Sequence, residues 1–285
     1  MYKHITFEEI DKNRWNGCVH YAHNGNVYGY YWYLKSVLKE WDAIVEDNYE
    51  SVFPIIKHPL YAEEHQLLPA LGPYSVNHLS NTRMDKLLSA GLKDTKTSIY
   101  SVTSKGTTYA ERNYPTLSTP YTSLNTKYSY DEIVDKYPVV DQEIVNHTST
   151  EGYKMISSIK PEDLVALGNR SNVAKNALMR IMYNALHRGI GWSSGIQNKS
   201  TGKIVAASFF LFSHNTIYEL FKYHDSYKHG IILYDLMVRS QAGKSTSIHF
   251  QGEKSVLGSN QENYCQIVLD NSFITRVKRK LKLQY

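Results

Sequence analysis

"KIVAASFFLFSHNTIYELFKYHDSYKHGIILYDLMV", Lys203 to Val238, is the stretch on which the fold turns. Its first two thirds are rich in β-branched and aromatic residues and read as two strands, "KIVAASFFLF" and "NTIYELFKYH". Upstream, "IGWSSGIQ" joins the first of them through the polar turn "NKSTG", giving a three-stranded meander. From Ile231 the period changes, and apolar residues at helical spacing predict a helix. Lys228, His229 and Gly230 stand directly before it. The start of a helix presents free N–H groups and the positive end of the dipole, and a glycine admits close approach, so these residues could seat an anion. The other reading is a solvated turn whose glycine simply starts the helix.

Working outward, "NVAKNALMRIMYNALHRG" places Val173, Ala174, Leu178, Ile181, Met182 and Ala185 on one helical face, with Gly189 as its stop. Downstream, "STSIHFQ" predicts a strand, "NQENYCQIVLD" a helix and "RVKRKLKLQY" a closing strand. The N-terminal half follows a similar course. Thr6 and Glu9 have capping-box spacing for a helix running to Tyr21 after a short strand. From Val27, the set Tyr30, Tyr31, Leu34, Val37, Leu38 and Trp41 forms an apolar stripe, and "DAIVE" and "ESVFPII" predict a hairpin about "DNY". Residues 57–80 read as irregular connection, "RMDKLLSAGL" as a helix closed by Gly91, and "TSIYSVTS" as a strand. Ser129 and Glu132 cap "YDEIVDKY", which Pro138 stops; residues 114–150 are the expected boundary region. In both halves, then, an amphipathic helix ends beside a tryptophan, Trp41 or Trp192, and runs into a hairpin.

Length and composition allow this duplication. The 285 residues suit two domains, and 42% apolar with 21% charged residues is ordinary for a folded chain, although 24 tyrosines supply much of the apolar surface. No stretch approaches the roughly 18 uncharged apolar residues of a membrane span, and the N-terminus lacks the apolar core of a signal peptide, so a cytoplasmic location is expected. Cys18 and Cys265 stand alone, without disulfide or zinc-site spacing. The net charge of +5 comes from Arg276, Lys278, Arg279, Lys280 and Lys282; without them basic and acidic residues balance at 27 each. That basic end reads as a lysine-bearing strand or as a patch for RNA or anionic lipid. Nothing matches a nucleophile elbow, Walker A or zincin motif.

The order of helix, meander, loop-started helix, strand, helix and strand resembles a GNAT-type acyltransferase domain, and its occurrence twice resembles the FemABX-like proteins. "GNVYGYYWYLKSVLKEWDAIVEDNYESVFPI" is similar to the N-terminal signature of a bacterial FemAB-like group. "KIVAASFFLFSHNTIYELFKYHD" resembles their second-domain hairpin and central strand, and "IHFQGEKS" their late strand. The resemblance implies an α/β (α+β) chain of two tandem GNAT-like domains, residues 1–140 and 141–285, each a mixed twisted sheet flanked by helices. It also implies transfer of an acetyl, acyl or aminoacyl group to an amine, with acetyl-CoA or another acyl-CoA as donor and no metal. Aminoacyl-tRNA is the alternative donor, although no long charged helical hairpin for tRNA is evident.

The donor would lie along Thr216–His224, where a neighbouring strand splays away, with its pyrophosphate on Tyr227–Ile232. In the family's loop pattern, Tyr227, Gly230 and Ile232 occupy the places of Arg or Gln, Gly, and Gly or Ala. Gln251 stands where relatives usually carry a carboxylate, and "IVLDNSF" replaces the usual tyrosine acid. The expected donor-binding residues are thus Tyr223, Tyr227, Lys228, His229, Gly230 and Ile231, with Tyr234 and Gln251 on the substrate. His249 is a candidate general base, because imidazole titrates near neutrality, or else a core histidine. Asp225 and Glu253 could orient or deprotonate an amine, or be surface carboxylates. Tyr223 and Tyr234 could equally be packing residues. A catalytically degenerate binding or scaffold protein is the competing reading, and RNA binding through the basic end a third.

Overall fold

The structure, a computed structural model, describes residues 1–147, 152–168, 170–252 and 256–269. The described residues form two compact units, Met1–Thr119 with Asn263–Leu269, and Pro120–Glu262. The division expected at residue 140 falls inside a helix of the second unit.

In the first unit, β1 (Tyr2–Ile5), β2 (Asp42–Glu46), β3 (Ser51–Ile55) and β4 (Tyr74–Ser75) form an antiparallel sheet in chain order. Between β1 and β2 lie α1 (Lys12–Tyr21) and α2 (Tyr31–Leu38). The Thr6–Glu9 capping box forms, but it opens only a single 3-10 turn. The α-helix starts at Asp11, whose carboxylate accepts from the amides of Asn13 and Arg14. Asn26 likewise draws the Tyr28 and Gly29 amides into a separate turn, which delays the second helix to Tyr31. Trp41 is fully buried against Trp15, 4.5 Å between ring centroids, and Trp15 Nε1 donates to the Gly29 carbonyl. Residues 57–80, expected to be irregular, hold α3 (Ala62–Leu67) as well as β4. There Glu64 and Tyr61 supply a cap that the prolines obscured.

The helix α4 (Asn81–Asp94) runs past Gly91 rather than ending there. A Cβ at Gly91 would lie 2.0 Å from the Phe53 ring, so this glycine lets α4 lie close against β3. β5 (Ile99–Val102) and α5 (Ser104–Asn113) follow, and then β6 (Thr116–Asn125), whose residues from Pro120 belong to the second unit.

The second unit continues with α6 (Tyr130–Val134), α7 (Val139–His147), β7 (Tyr153–Ser157), α8 (Pro161–Leu167) and α9 (Asn172–His187). The meander β8 (Gly191–Asn198), β9 (Ile204–Ser213) and β10 (Thr216–His224) comes next, as the residue pattern predicts. α10 (Tyr227–Gln241) then crosses to β11 (Ser247–Gln251). Strand order is β6-β11-β10-β9-β8-β7, and only β10 and β11 run parallel. α6 ends at Val134, ahead of Pro138, which opens α7, since its carbonyl accepts from the amides of Asp141 and Gln142. One face of α10, carrying Ile231, Tyr234, Met237 and Val238, packs on Phe210, Ile217, Ile248 and Phe250 of the sheet. Burial of such apolar area, worth about 25 cal/mol per Å², holds the crossover helix down.

"NQENYCQIV" is a strand, β12 (Asn260–Val268), not the expected helix. Its inner residues alternate, with Cys265 and Ile267 buried and Tyr264 and Gln266 partly exposed, and Cys265–Val268 pair antiparallel with Val102–Ile99 of β5. That two-residue period outweighs the helix-compatible Gln and Glu at its start. Both cysteines are buried thiols, raised by desolvation to about 12 for Cys18 and about 11 for Cys265. The basic end, Arg276 to Lys282, lies outside the described residues. Among the described residues no helix is long and apolar enough to cross a membrane.

Candidate functional site at the end of β10

β10 pairs with β9 along its whole length, but the register shifts between Glu219 and Phe221, leaving Leu220 as the extra residue of a bulge. On its other side it pairs with β11 only from Thr216 to Tyr218. Beyond that point side chains replace the ladder. Glu219 Oε2 accepts from the Gln251 amide N–H at 3.1 Å, and Glu219 Oε1 from Ser208 Oγ at 2.9 Å. Gln251 Nε2 donates to the Leu220 carbonyl at 3.2 Å, and Lys222 Nζ donates to the Gln251 carbonyl.

Glu219 is 2% exposed. Burial raises its pKa; the Lys222 charge and hydrogen bonds from Ser208, Gln251 and Tyr234 oppose that rise. An ionised carboxylate at such a position is costly, and the donors around it offset only part of that cost. Sequence reasoning passed over Glu219. The signal was there as the lone carboxylate of "TIYELF", an otherwise apolar run in a central strand.

The next turn of chain starts α10. Ser226 caps it, its Oγ accepting from the His229 amide, and the Gly230 amide donates to the Ser226 carbonyl. The His229 ring is held on both sides: Nδ1 lies 2.5 Å from Asp225 Oδ1 and 2.8 Å from Ser226 Oγ, and Nε2 lies 2.8 Å from Tyr153 Oη. Tyr227 Oη donates to Asp141 Oδ1 at 2.7 Å, while Asp141 Oδ2 accepts from the Leu257 amide at 3.0 Å. Asp141 is fully buried.

Asp225, Tyr227, Lys228, His229, Gly230 and Ile231 thus lie together at the start of α10, with Lys228 exposed and Ile231 and Ile232 buried in the core. The lack of a side chain at Gly230 accommodates the His224 ring, which a Cβ would meet at 3.1 Å, so the glycine serves the packing of helix on strand. Tyr223 is partly exposed near the end of β10. Tyr234 and Gln251 meet through Glu219 rather than directly.

His249 lies apart from this turn, between the rings of Tyr121 and Tyr218 at 4.8 and 5.2 Å. Its Nδ1 is buried without a hydrogen bond, and desolvation lowers its pKa to about 4 despite the pull of Glu262. The ring is therefore neutral at physiological pH and a far weaker base than its residue type suggests. Glu253 lies outside the described residues. A separate cavity of about 880 Å³ sits at the opposite end of β8, between Gly191–Ser193, Tyr183, Leu186 and Lys160. Among the described residues no group of three or more His, Cys, Asp or Glu is arranged to hold a metal ion.

No family model matches the chain, and no curated protein matches it. Solved structures do. FemX superposes with a TM-score of 0.63 at 9% identity, covering 96% of this chain and 99% of that one. L-PGS from Bacillus licheniformis gives 0.54 at 11%, covering 93% of each chain. A tandem GNAT protein from the clavulanic acid biosynthesis pathway gives 0.51 at 8%, covering 93% of this chain and 97% of that one. Identities this low establish architecture only. The chain has a FemABX/GNAT-like fold, a mixed α/β structure with tandem GNAT-like neighbours.

Proposed function

We propose that this protein transfers an acyl or aminoacyl group to an amine, with the donor received along the end of β10 in the second unit. The parting of β10 from β11 after Tyr218, with a bulge at the same point and a helix starting where β10 ends, carries this reading. Likeness to FemX, L-PGS and the tandem GNAT protein supports it at the level of fold. In such a groove the unpaired main chain of one strand grips the donor. The acyl group passes from the donor to the amine, and fixed N–H groups offset the charge that develops on the carbonyl oxygen. Asp225, Tyr227, Lys228 and His229 would line the donor end, and Tyr234 and Gln251 would contact substrate through the Glu219 network. The donor is acetyl-CoA, another acyl-CoA or an aminoacyl-tRNA.

Two observations favour the second reading, a degenerate fold that binds without catalysing. Glu219, Gln251 and Lys222 fill the strand gap with their own hydrogen bonds, and Asp225 places negative charge beside the turn that a pyrophosphate would use. Thermal-shift titration with coenzyme A, acetyl-CoA, long-chain acyl-CoA and a non-hydrolysable aminoacyl-tRNA analogue separates the two. A donor at 100 times its Kd stabilises the folded state by about 2.7 kcal/mol. A flat melting temperature with all four at millimolar or saturating concentration rejects transfer in favour of the scaffold reading.

A further inference from the structure

We propose that Asp225, His229 and Tyr153 form a proton relay that makes the Tyr153 hydroxyl a nucleophile for activated acyl groups. The choice of acyl chemistry rests on the transfer reading above; the relay rests on geometry. Tyr153 is the first residue of β7, paired with Asn198, and its ring packs beside Ile196, Val205, Ile232 and Leu233. That packing aims the phenol at His229, with rings 5.1 Å apart and nearly perpendicular.

The direction of the hydrogen bonds follows from chemistry. An ionised carboxylate only accepts, so the proton between Asp225 and His229 sits on Nδ1. In the neutral ring Nε2 then carries a lone pair, and the Tyr153 O–H donates to it across 2.8 Å. A hydroxyl on a base that is itself oriented by a carboxylate is the arrangement that activates a nucleophile. The His229 side chain is 15% exposed, that of Asp225 43%, and Tyr153 is itself partly exposed, so the relay borders solvent. In the step, Tyr153 Oη bonds to the acyl carbon while its proton moves to His229 Nε2. The bond to the leaving group then breaks, and that group departs with the proton. The product is an aryl ester on Tyr153, which an amine can aminolyse to an amide, restoring the phenol.

N-acetylimidazole tests this, with each acetylated tyrosine quantified by mass spectrometry over time. Tyr21 and Tyr61, 74% and 71% exposed, are internal standards for unassisted phenols. The relay predicts that Tyr153 reacts faster than both despite its lower exposure. It also predicts a loss of about a hundredfold in His229→Asn, the lower end of what a positioned base contributes, with Tyr21 and Tyr61 unchanged. Asp225→Asn, at an exposed position that no core depends on, should slow Tyr153 in the same sense. Acetylation of Tyr153 no faster than the standards, or at an unchanged rate in both variants, overturns the proposal. Because the reagent carries its own acetyl group, this outcome is independent of whether coenzyme A or an aminoacyl donor binds.

Discussion

Glu219→Gln tests whether the buried carboxylate between β10 and β11 behaves as its surroundings dictate. Burial holds its folded-state pKa above the ordinary 4.5, so the folded unit binds this proton more tightly than the unfolded chain. The linkage therefore has a definite sign. Stability is fully present below pH 4.5 and is lost as pH rises through the raised folded value. A carboxyl raised by one pH unit costs about 1.4 kcal/mol once both states are ionised, and one raised by two costs twice that. Glutamine cannot ionise, so the variant lacks this slope. Its amide, however, faces the Gln251 N–H with only one acceptor oxygen, a constant penalty of about 1–3 kcal/mol. Urea unfolding of both proteins should be followed from pH 4 to 7 through the fluorine signal of 5-fluorotryptophan at Trp192, since the other tryptophans, at 15, 32 and 41, report on the first unit. The stability of wild type minus that of the variant should fall steadily as pH rises, passing through zero where the loss exceeds the penalty. A difference that stays flat, or grows, would refute the assignment of a raised pKa to Glu219.

Three further outcomes follow from the packing. Gly91→Ala should destabilise the first unit by about 1–2 kcal/mol in thermal unfolding, because overpacking against the buried Phe53 outweighs the roughly 1 kcal/mol gained in helix propensity. A variant that melts higher than wild type would show that Phe53 can move aside. His249→Phe should remove a loss of stability of at most about 3 kcal/mol that wild type suffers as pH falls from 6.5 to about 4, since the folded imidazole resists the proton that the unfolded one takes up; parallel pH profiles for the two proteins would count against a lowered pKa. Asp141→Asn should cost about 1–3 kcal/mol, because one amide oxygen cannot serve both Tyr227 Oη and the Leu257 N–H, and an unchanged urea midpoint would contradict that accounting.

Much of the architecture was legible because its signals are periodic. α9 and the β8–β9–β10 meander each carry an apolar pattern long enough to outweigh local propensity, and they stand as expected. The failures sit where one side chain redirects the backbone. Asp11 and Asn26 reset helix starts that the Thr6–Glu9 capping box and the apolar stripe from Val27 would place earlier, and Gly91 serves an approach to Phe53 that no local pattern reveals. β12 was misread because Cys265 and Ile267 are meaningful only when β5 is beside them. In the site, the first turn of α10 was locatable from the change of period at Ile231. Tyr153 was not, since its bond to His229 joins residues 76 apart in the chain. Glu219 stands out as the lone acidic letter of its strand, but its partners Ser208 and Gln251 lie 11 and 32 residues away and no local pattern names them.

The replacement of ladder bonds by side-chain bonds past Tyr218 has a mechanical consequence. Separating two strands normally means breaking main-chain rungs together, a cooperative and slow event. Here the join is made by the terminal groups of Glu219, Gln251 and Lys222, each of which swings about its own single bonds. Rotamer hops of this kind do not require the backbone of either strand to shift. A crevice beside Leu220 could therefore be uncovered one side chain at a time, with the three rungs from Thr216 to Tyr218 left standing as its hinge.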